Sequence, residues 1–177
     1  YEFAPAELPA DLKTYTFVSR KDKLIRKGNA EAAIKGFDLK GQSGADSTLA
    51  ILQQPIVVLL ISENLSRPVS AWSAEFSNVY KTASGKNIPV YMISGQPDNT
   101  LKQLAGTSFA SMPVFTCDNT TIRTAARTNP TLYILQQGTI RGKWSSHDFD
   151  KAEKSLSAMP SMPPPVRINE PADSLQQ

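Results

Sequence analysis

Asn129-Pro130-Thr131-Leu132-Tyr133-Ile134-Leu135-Gln136-Gln137-Gly138-Thr139-Ile140 is the stretch whose pattern decides the fold. A residue before proline is pushed out of the α region, so Asn129-Pro130 ends whatever helix precedes it. Thr131–Gln136 is a β-branched and aliphatic run, Gln137-Gly138 is a turn, and Thr139–Trp144 is the returning strand. Together they predict a β-hairpin.

Working outward, Ile56-Val57-Val58-Leu59-Leu60-Ile61 is a continuous aliphatic run, the pattern of a strand buried on both faces. Val69, Trp72, Phe76, Val79 and Tyr80 follow at helical spacing, predicting an amphipathic helix from near Pro68 to Thr82 that Ser84-Gly85-Lys86 breaks. Ile88–Ile93 predicts a strand and Thr100–Leu104 a helix. Val114–Thr116 predicts a short strand, and Thr121–Arg127 a helix capped by Asp118 or Asn119. A last helix spans Asp148–Ser157. Upstream, Thr14–Val18 and Ile34–Leu39 are weak strand candidates, and Asp46-Ser47-Thr48 caps a short helix that stops near Gln54-Pro55. Strand–helix–strand–helix followed by strand–strand–helix makes a parallel half and an antiparallel hairpin in one mixed sheet with helices on both faces.

Composition narrows the function classes. A chain of 177 residues supports one domain with extensions. Its 13 prolines gather toward the two ends, so Tyr1–Pro9 and Pro160–Gln177 read as flexible. The net charge of +3 is mild, with no basic run interleaved with aromatics, which gives no argument for a nucleic-acid partner. The apolar run Ile56–Ile61 is far shorter than the roughly 18 residues a membrane-spanning helix needs. Tyr1 in the place of an initiating methionine leads to the expectation that the chain is cut from something longer. Cys117 is the only cysteine, so no internal disulfide forms.

The stretch around Asn129–Ile140 resembles the hairpin of thioredoxin-like proteins, with Pro130 where that family carries its cis-proline. Val114–Asp118 followed by a short helix resembles the TlpA-like branch. The resemblance covers roughly residues 55–159 and implies a three-layer α/β/α fold with a mixed central sheet. An irregular extension, 1–54, precedes it and a Pro-rich tail, 160–177, follows. In thioredoxins the first buried strand runs into a Cys-x-x-Cys loop. Here that loop is Ser62-Glu63-Asn64-Leu65-Ser66-Arg67-Pro68-Val69, and Leu65 and Pro68 stand where the two cysteines would. A thiolate is the nucleophile of disulfide exchange, and neither residue supplies one. The resemblance thus marks Leu65, Ser66, Arg67 and Pro68 as a vestigial redox loop.

A second resemblance reaches into the extension. Lys27-Gly28, Ala33-Ile34-Lys35-Gly36-Phe37 and Gly44-Ala45-Asp46-Ser47-Thr48 are similar to a segment of certain bacterial DoxX-type membrane proteins, in which a small membrane domain precedes a thioredoxin-like soluble domain. The strings Thr121–Pro130 and Gly138–Trp144 fit the same proteins. This implies the excised soluble domain of an integral membrane protein, on the periplasmic side of the inner membrane.

The candidate chemistry is sparse. Cys117 reads first as a buried strand-end hydrophobe, since free cysteine is among the most buried residue types. The alternative is a one-cysteine peroxidase or reductase nucleophile. His147, the only histidine, reads as a surface or capping residue, and one histidine with one cysteine is too few for a zinc site. No metal or cofactor is implied. No Gly-x-Ser-x-Gly elbow supports a serine triad. Arg123 and Arg127, four apart, predict one shared helix face. With Arg67 and Asn129 they could form an anion-accepting groove; the simpler reading is a solvated helix face. Trp72 and Trp144 read as core. The function these readings favour is redox-inactive docking of a protein or peptide partner, or of the chain's own membrane domain. The alternative is the Cys117 thiol enzyme.

Overall fold

A computed structural model describes residues 10–14, 16 and 36–163. The chain divides into two units, Tyr1–Ala32 and Ala33–Gln177. In the first, Leu12–Thr14 form a 3-10 turn in which the Thr14 N–H donates to the Asp11 carbonyl at 2.9 Å. Thr14 therefore begins no strand. The rest of the Thr14–Val18 expectation, apart from Thr16, and residues 1–9 and 164–177 lie outside the described residues.

The second unit is built on five strands: β1 Val57–Ser62, β2 Val90–Ser94, β3 Val114–Thr116, β4 Thr131–Gln136 and β5 Thr139–Ser145. Their order is β3-β2-β1-β4-β5. β1, β2 and β3 run parallel, in register Ile61 with Ile93 and Ile93 with Phe115. β4 lies antiparallel to β1, with Leu59 opposite Tyr133, and β5 antiparallel to β4. The turn between them places Gln137 (φ 47°) and Gly138 (φ 74°) in the left-handed region, which matches the strand twist of a tight hairpin.

Side chains alternate along each strand and feed two cores. Val58, Leu60, Met92, Leu132 and Ile134 face α2 (Ser73–Gly85) and α5 (Phe149–Ser157) through Phe76, Val79, Phe149 and Leu156, with Leu104 of α3 (Pro97–Leu104) in the same cluster. Val57, Leu59, Ile61, Ile93 and Tyr133 face α1 (Thr48–Leu52) and α4 (Asn119–Ala125) through Ile51 and Ile122. The result is the three-layer α/β/α arrangement with a mixed sheet.

Three local expectations are corrected. The helix expected from Pro68 is split into a 3-10 turn, Val69–Ala71, and α2. Trp72 sits between them at φ −143°, its fully buried indole stacked on Phe109 and edge-on to Phe76. α2 then continues past Thr82 to Gly85. Asn87 (φ 55°) closes it: its N–H donates to the Ser84 carbonyl and that of Ile88 to the Ala83 carbonyl.

Second, Gly36–Leu39 carry no strand, and Ile34 and Lys35 lie outside the described residues. Lys40 instead pairs with Thr116 by two backbone hydrogen bonds of 3.0 and 2.8 Å, covering the free edge of β3. Leu39 and Ile51 are buried in the second core, so residues 36–54 pack on the sheet.

Third, α4 ends at Ala125, because Ala126 is extended (φ −117°, ψ 103°). The Ala125 carbonyl accepts from the Tyr133 hydroxyl and from Lys143 Nζ, both on the hairpin. Arg127 therefore lies outside the helix and shares no helix face with Arg123. At the other end of the domain, the tail begins tethered: the Met162 N–H donates to the Lys86 carbonyl at 2.7 Å.

Candidate functional site

The parallel strands end together at Ser62, Ser94 and Thr116, and the crevice outside such carboxyl ends is where open α/β sheets place ligands. Two segments meet there: the loop that follows β1, and residues 126–130 leading into β4. The Asn129–Pro130 bond is cis.

The side chain of Asn129 joins these segments. Its Oδ1 accepts from the buried Ser62 hydroxyl, and its Nδ2 donates to Asn64 Oδ1 at 2.9 Å and to Ser66 Oγ at 3.2 Å. Ser62 Oγ in turn accepts from the Leu65 N–H at 3.0 Å. Leu65 stands in the left-handed region (φ 44°) with its side chain in the core beside Val69 and Trp72. Of the two residues that the thioredoxin resemblance sets in the places of the cysteines, Leu65 is buried and Pro68 exposed. Arg67 leaves this site altogether, donating to Ser146 Oγ at 3.2 Å, ahead of α5.

On the α4 side of Asn129 a cleft of about 340 Å³ is lined by Glu63, Ile122, Arg123, Ala126, Arg127, Thr128 and Asn129. Asp118 caps α4 by accepting from the Thr121 N–H at 3.0 Å, which sets the helix that carries Ile122 and Arg123. Arg123 donates from Nε (2.9 Å) and from a terminal nitrogen (2.5 Å) to one oxygen, Oε1, of Glu63. That hydrogen bond, helped by the guanidinium charge, holds the Glu63 carboxyl below its usual range. Among the described residues Arg127 has no ion pair or hydrogen-bond partner, and the backbone N–H groups of Arg127, Thr128 and Asn129 donate to none. The structure therefore brings Arg123, Arg127 and Asn129 together and leaves Arg67 out.

Glu63 is the residue that sequence reasoning missed. Its one signal was position, first after a buried parallel strand.

Cys117 is 3% exposed among Leu39, Ile51, Ile61 and Ile122. Burial pushes its thiol up, further outweighing the hydrogen bonds that lower it. Both features disfavour the thiolate on which nucleophilic chemistry depends. His147 is exposed, beside β5 at the opposite edge of the sheet from β3 and Cys117. Trp72 is fully buried and Trp144 partly, each against the first core.

This architecture is the thioredoxin-like fold. Yeast Sco1 is similar at a TM-score of 0.51 and 14% identity, over 75% of this chain and 98% of that one. A protein from Chlorobium tepidum assigned as the thiol:disulfide interchange protein DsbE is similar at 0.52 and 18%, over 68% and 89%. Copper-bound yeast Sco1 is similar at 0.51 and 12%, over 71% and 93%. Residues 1–27 match a family model described as a domain of unknown function (DUF8463). No curated protein matches the chain.

The residues present do not fit copper. Its soft-donor sites use thiolate, thioether or imidazole, whereas the loop Glu63–Pro68 offers none of these. The one thiol is in the core and the one histidine at the far edge of the sheet. Among the described residues no three of His, Cys, Asp and Glu gather as a metal site.

Proposed function

We propose that this chain is a redox-inactive thioredoxin-like module that docks an extended segment of a protein partner, or of its own membrane domain, beside Pro130. The observation that carries this reading is the run of unpartnered backbone N–H groups at Arg127, Thr128 and Asn129, lining an open cleft. Backbone N–H groups without partners beside a cleft are donors for the carbonyls of a docked extended segment. The loop opposite has no cysteine, and the one thiol is buried, so binding without thiol chemistry is the use these residues support.

The strings Ala33–Phe37, Gly44–Thr48 and Thr121–Pro130 support a DoxX-type membrane protein as the parent. Through that resemblance they favour the periplasmic side of the inner membrane, with residues 1–54 leading from the membrane domain into the domain that spans 55–159. No helix among the described residues is long and apolar enough to cross a membrane itself.

Two measurements test the reading. Insulin reduction is expected at the level of a Cys117→Ala control. An array of extended peptides, followed by amide resonances of the labelled protein, is expected to shift Arg127, Thr128 and Asn129 first. Turnover above the control, or binding that leaves those three amides unmoved, overturns it.

A further inference from the structure

The cleft holds a charge pattern that backbone docking alone does not explain. Two guanidinium groups, Arg123 and Arg127, line it with one carboxylate, Glu63. Asp118 is not part of the lining; it caps α4 through the Thr121 N–H and keeps its charge, which acts on Arg123. One cation is left over, and it is Arg127.

The pairing of the other cation is incomplete. Nε and a terminal nitrogen of Arg123 converge on Glu63 Oε1, while Oε2 has no partner among the described residues. A guanidinium binds a carboxylate best through two parallel hydrogen bonds to two oxygens. Glu63 therefore engages Arg123 in less than its best geometry. The Arg123 side chain is 67% exposed and that of Glu63 28%, so the contact is screened by water and exchanges readily.

We propose that the cleft receives an acidic side chain from the docked extended peptide on Arg127, and that Glu63 is an internal stand-in for that carboxylate, holding Arg123 until the ligand's carboxylate competes for it. The proposal rests on the docking reading above and adds the chemistry of the occupant. Complementarity of charge selects the class: a cleft with a net positive lining favours an acidic partner strand and disfavours a basic one. Ala126, partly exposed, supplies an apolar contact for the methylene groups of a glutamate side chain.

The probes are acetyl-Ala-Ala-Glu-Ala-Ala-amide and its glutamine counterpart, blocked at both ends so that no terminal charge contributes. Titrations follow the amide resonances of Arg127, Thr128 and Asn129 in the full chain. The glutamate peptide is expected to bind about tenfold more tightly, the size of one charge-assisted hydrogen bond. Arg127→Gln removes that preference, and Arg127→Lys keeps part of it. Glu63→Gln frees Arg123 and tightens the glutamate peptide severalfold, leaving the glutamine peptide unchanged. Equal binding of both peptides at these amides overturns the carboxylate proposal while strand docking stands. If neither peptide moves the amides, both readings fall. If Glu63→Gln does not tighten the glutamate peptide, Glu63 is not a competitor.

Discussion

Asn129 reaches Asn64 across 65 residues of sequence, its Nδ2 donating to the Asn64 Oδ1 at 2.9 Å. The same side chain accepts from Ser62 and donates to Ser66. The residue before the cis-proline therefore pins the loop that in thioredoxins carries the cysteines. Asn129→Ala leaves the fully buried Ser62 hydroxyl without its acceptor and is expected to cost about 1–3 kcal/mol. Asn129→Asp keeps an acceptor for Ser62 but sets a carboxylate oxygen against Asn64 Oδ1, so it restores only part of this. Urea unfolding reads both variants, and a wild-type midpoint for Asn129→Ala means the network contributes nothing to stability.

Leu65 combines a buried side chain with a left-handed backbone (φ 44°). Truncation to alanine is expected to cost about 2–4 kcal/mol for the lost side chain. Glycine loses one more carbon, yet it adopts positive φ freely, which favours it by about 1 kcal/mol at such a position. Leu65→Gly is thus expected to be no less stable than Leu65→Ala, the reverse of the order in a helix or strand. Thermal melts of the two variants decide this.

Cys117 is buried and its thiol is pushed up. Native-state alkylation by iodoacetamide at neutral pH is expected to run about a hundredfold slower than for the urea-unfolded chain, because modification waits for local opening. Cys117→Ala keeps the fold at a cost of about 1 kcal/mol for the small cavity. Rapid alkylation of the folded protein returns the thiol-enzyme reading to life.

Acid destabilises the domain in a defined window. The Thr121 N–H holds the Asp118 carboxyl below its ordinary 3.8, and Arg123 holds Glu63 below its ordinary 4.5. Asp46 and Asp148 are lowered likewise, by Thr48 and by Lys151. A carboxyl depressed in the folded state stabilises above its unfolded value, and that stability is lost as pH falls through the folded one. The melting temperature is therefore expected to be flat above about pH 6 and to fall below about pH 4.5. The fall is shallower in Asp118→Asn, which starts lower. A decline that begins near neutrality assigns the effect to other groups.

The strands were legible because their signals are local. Val57–Ser62 and Thr131–Gln136 are runs of branched aliphatics bounded by turns or proline, and burial on both faces leaves that pattern whatever the neighbours are. Helix limits were less legible. α2 begins after Trp72 because the indole enters the core between Phe76 and Phe109, and α4 stops where Tyr133 and Lys143 take the Ala125 carbonyl. Phe109, Tyr133 and Lys143 lie outside the helices they limit, so periodicity carries no trace of them.

The amino-acid sequence by itself determined the layered α/β architecture, the hairpin and the absence of a cysteine pair, since each depends on residue type and near-neighbour spacing. Tertiary structure alone decided the site. Strand register sets Glu63 against Arg123, 60 residues apart, and Asn129 against Ser62, 67 apart. It also turned Arg67 away toward Ser146 and drew Lys40 and Ile51 onto the sheet. Side chains of the same charge and size point in different directions according to the element that carries them, and only the packing of those elements makes a cleft of some and a surface of others.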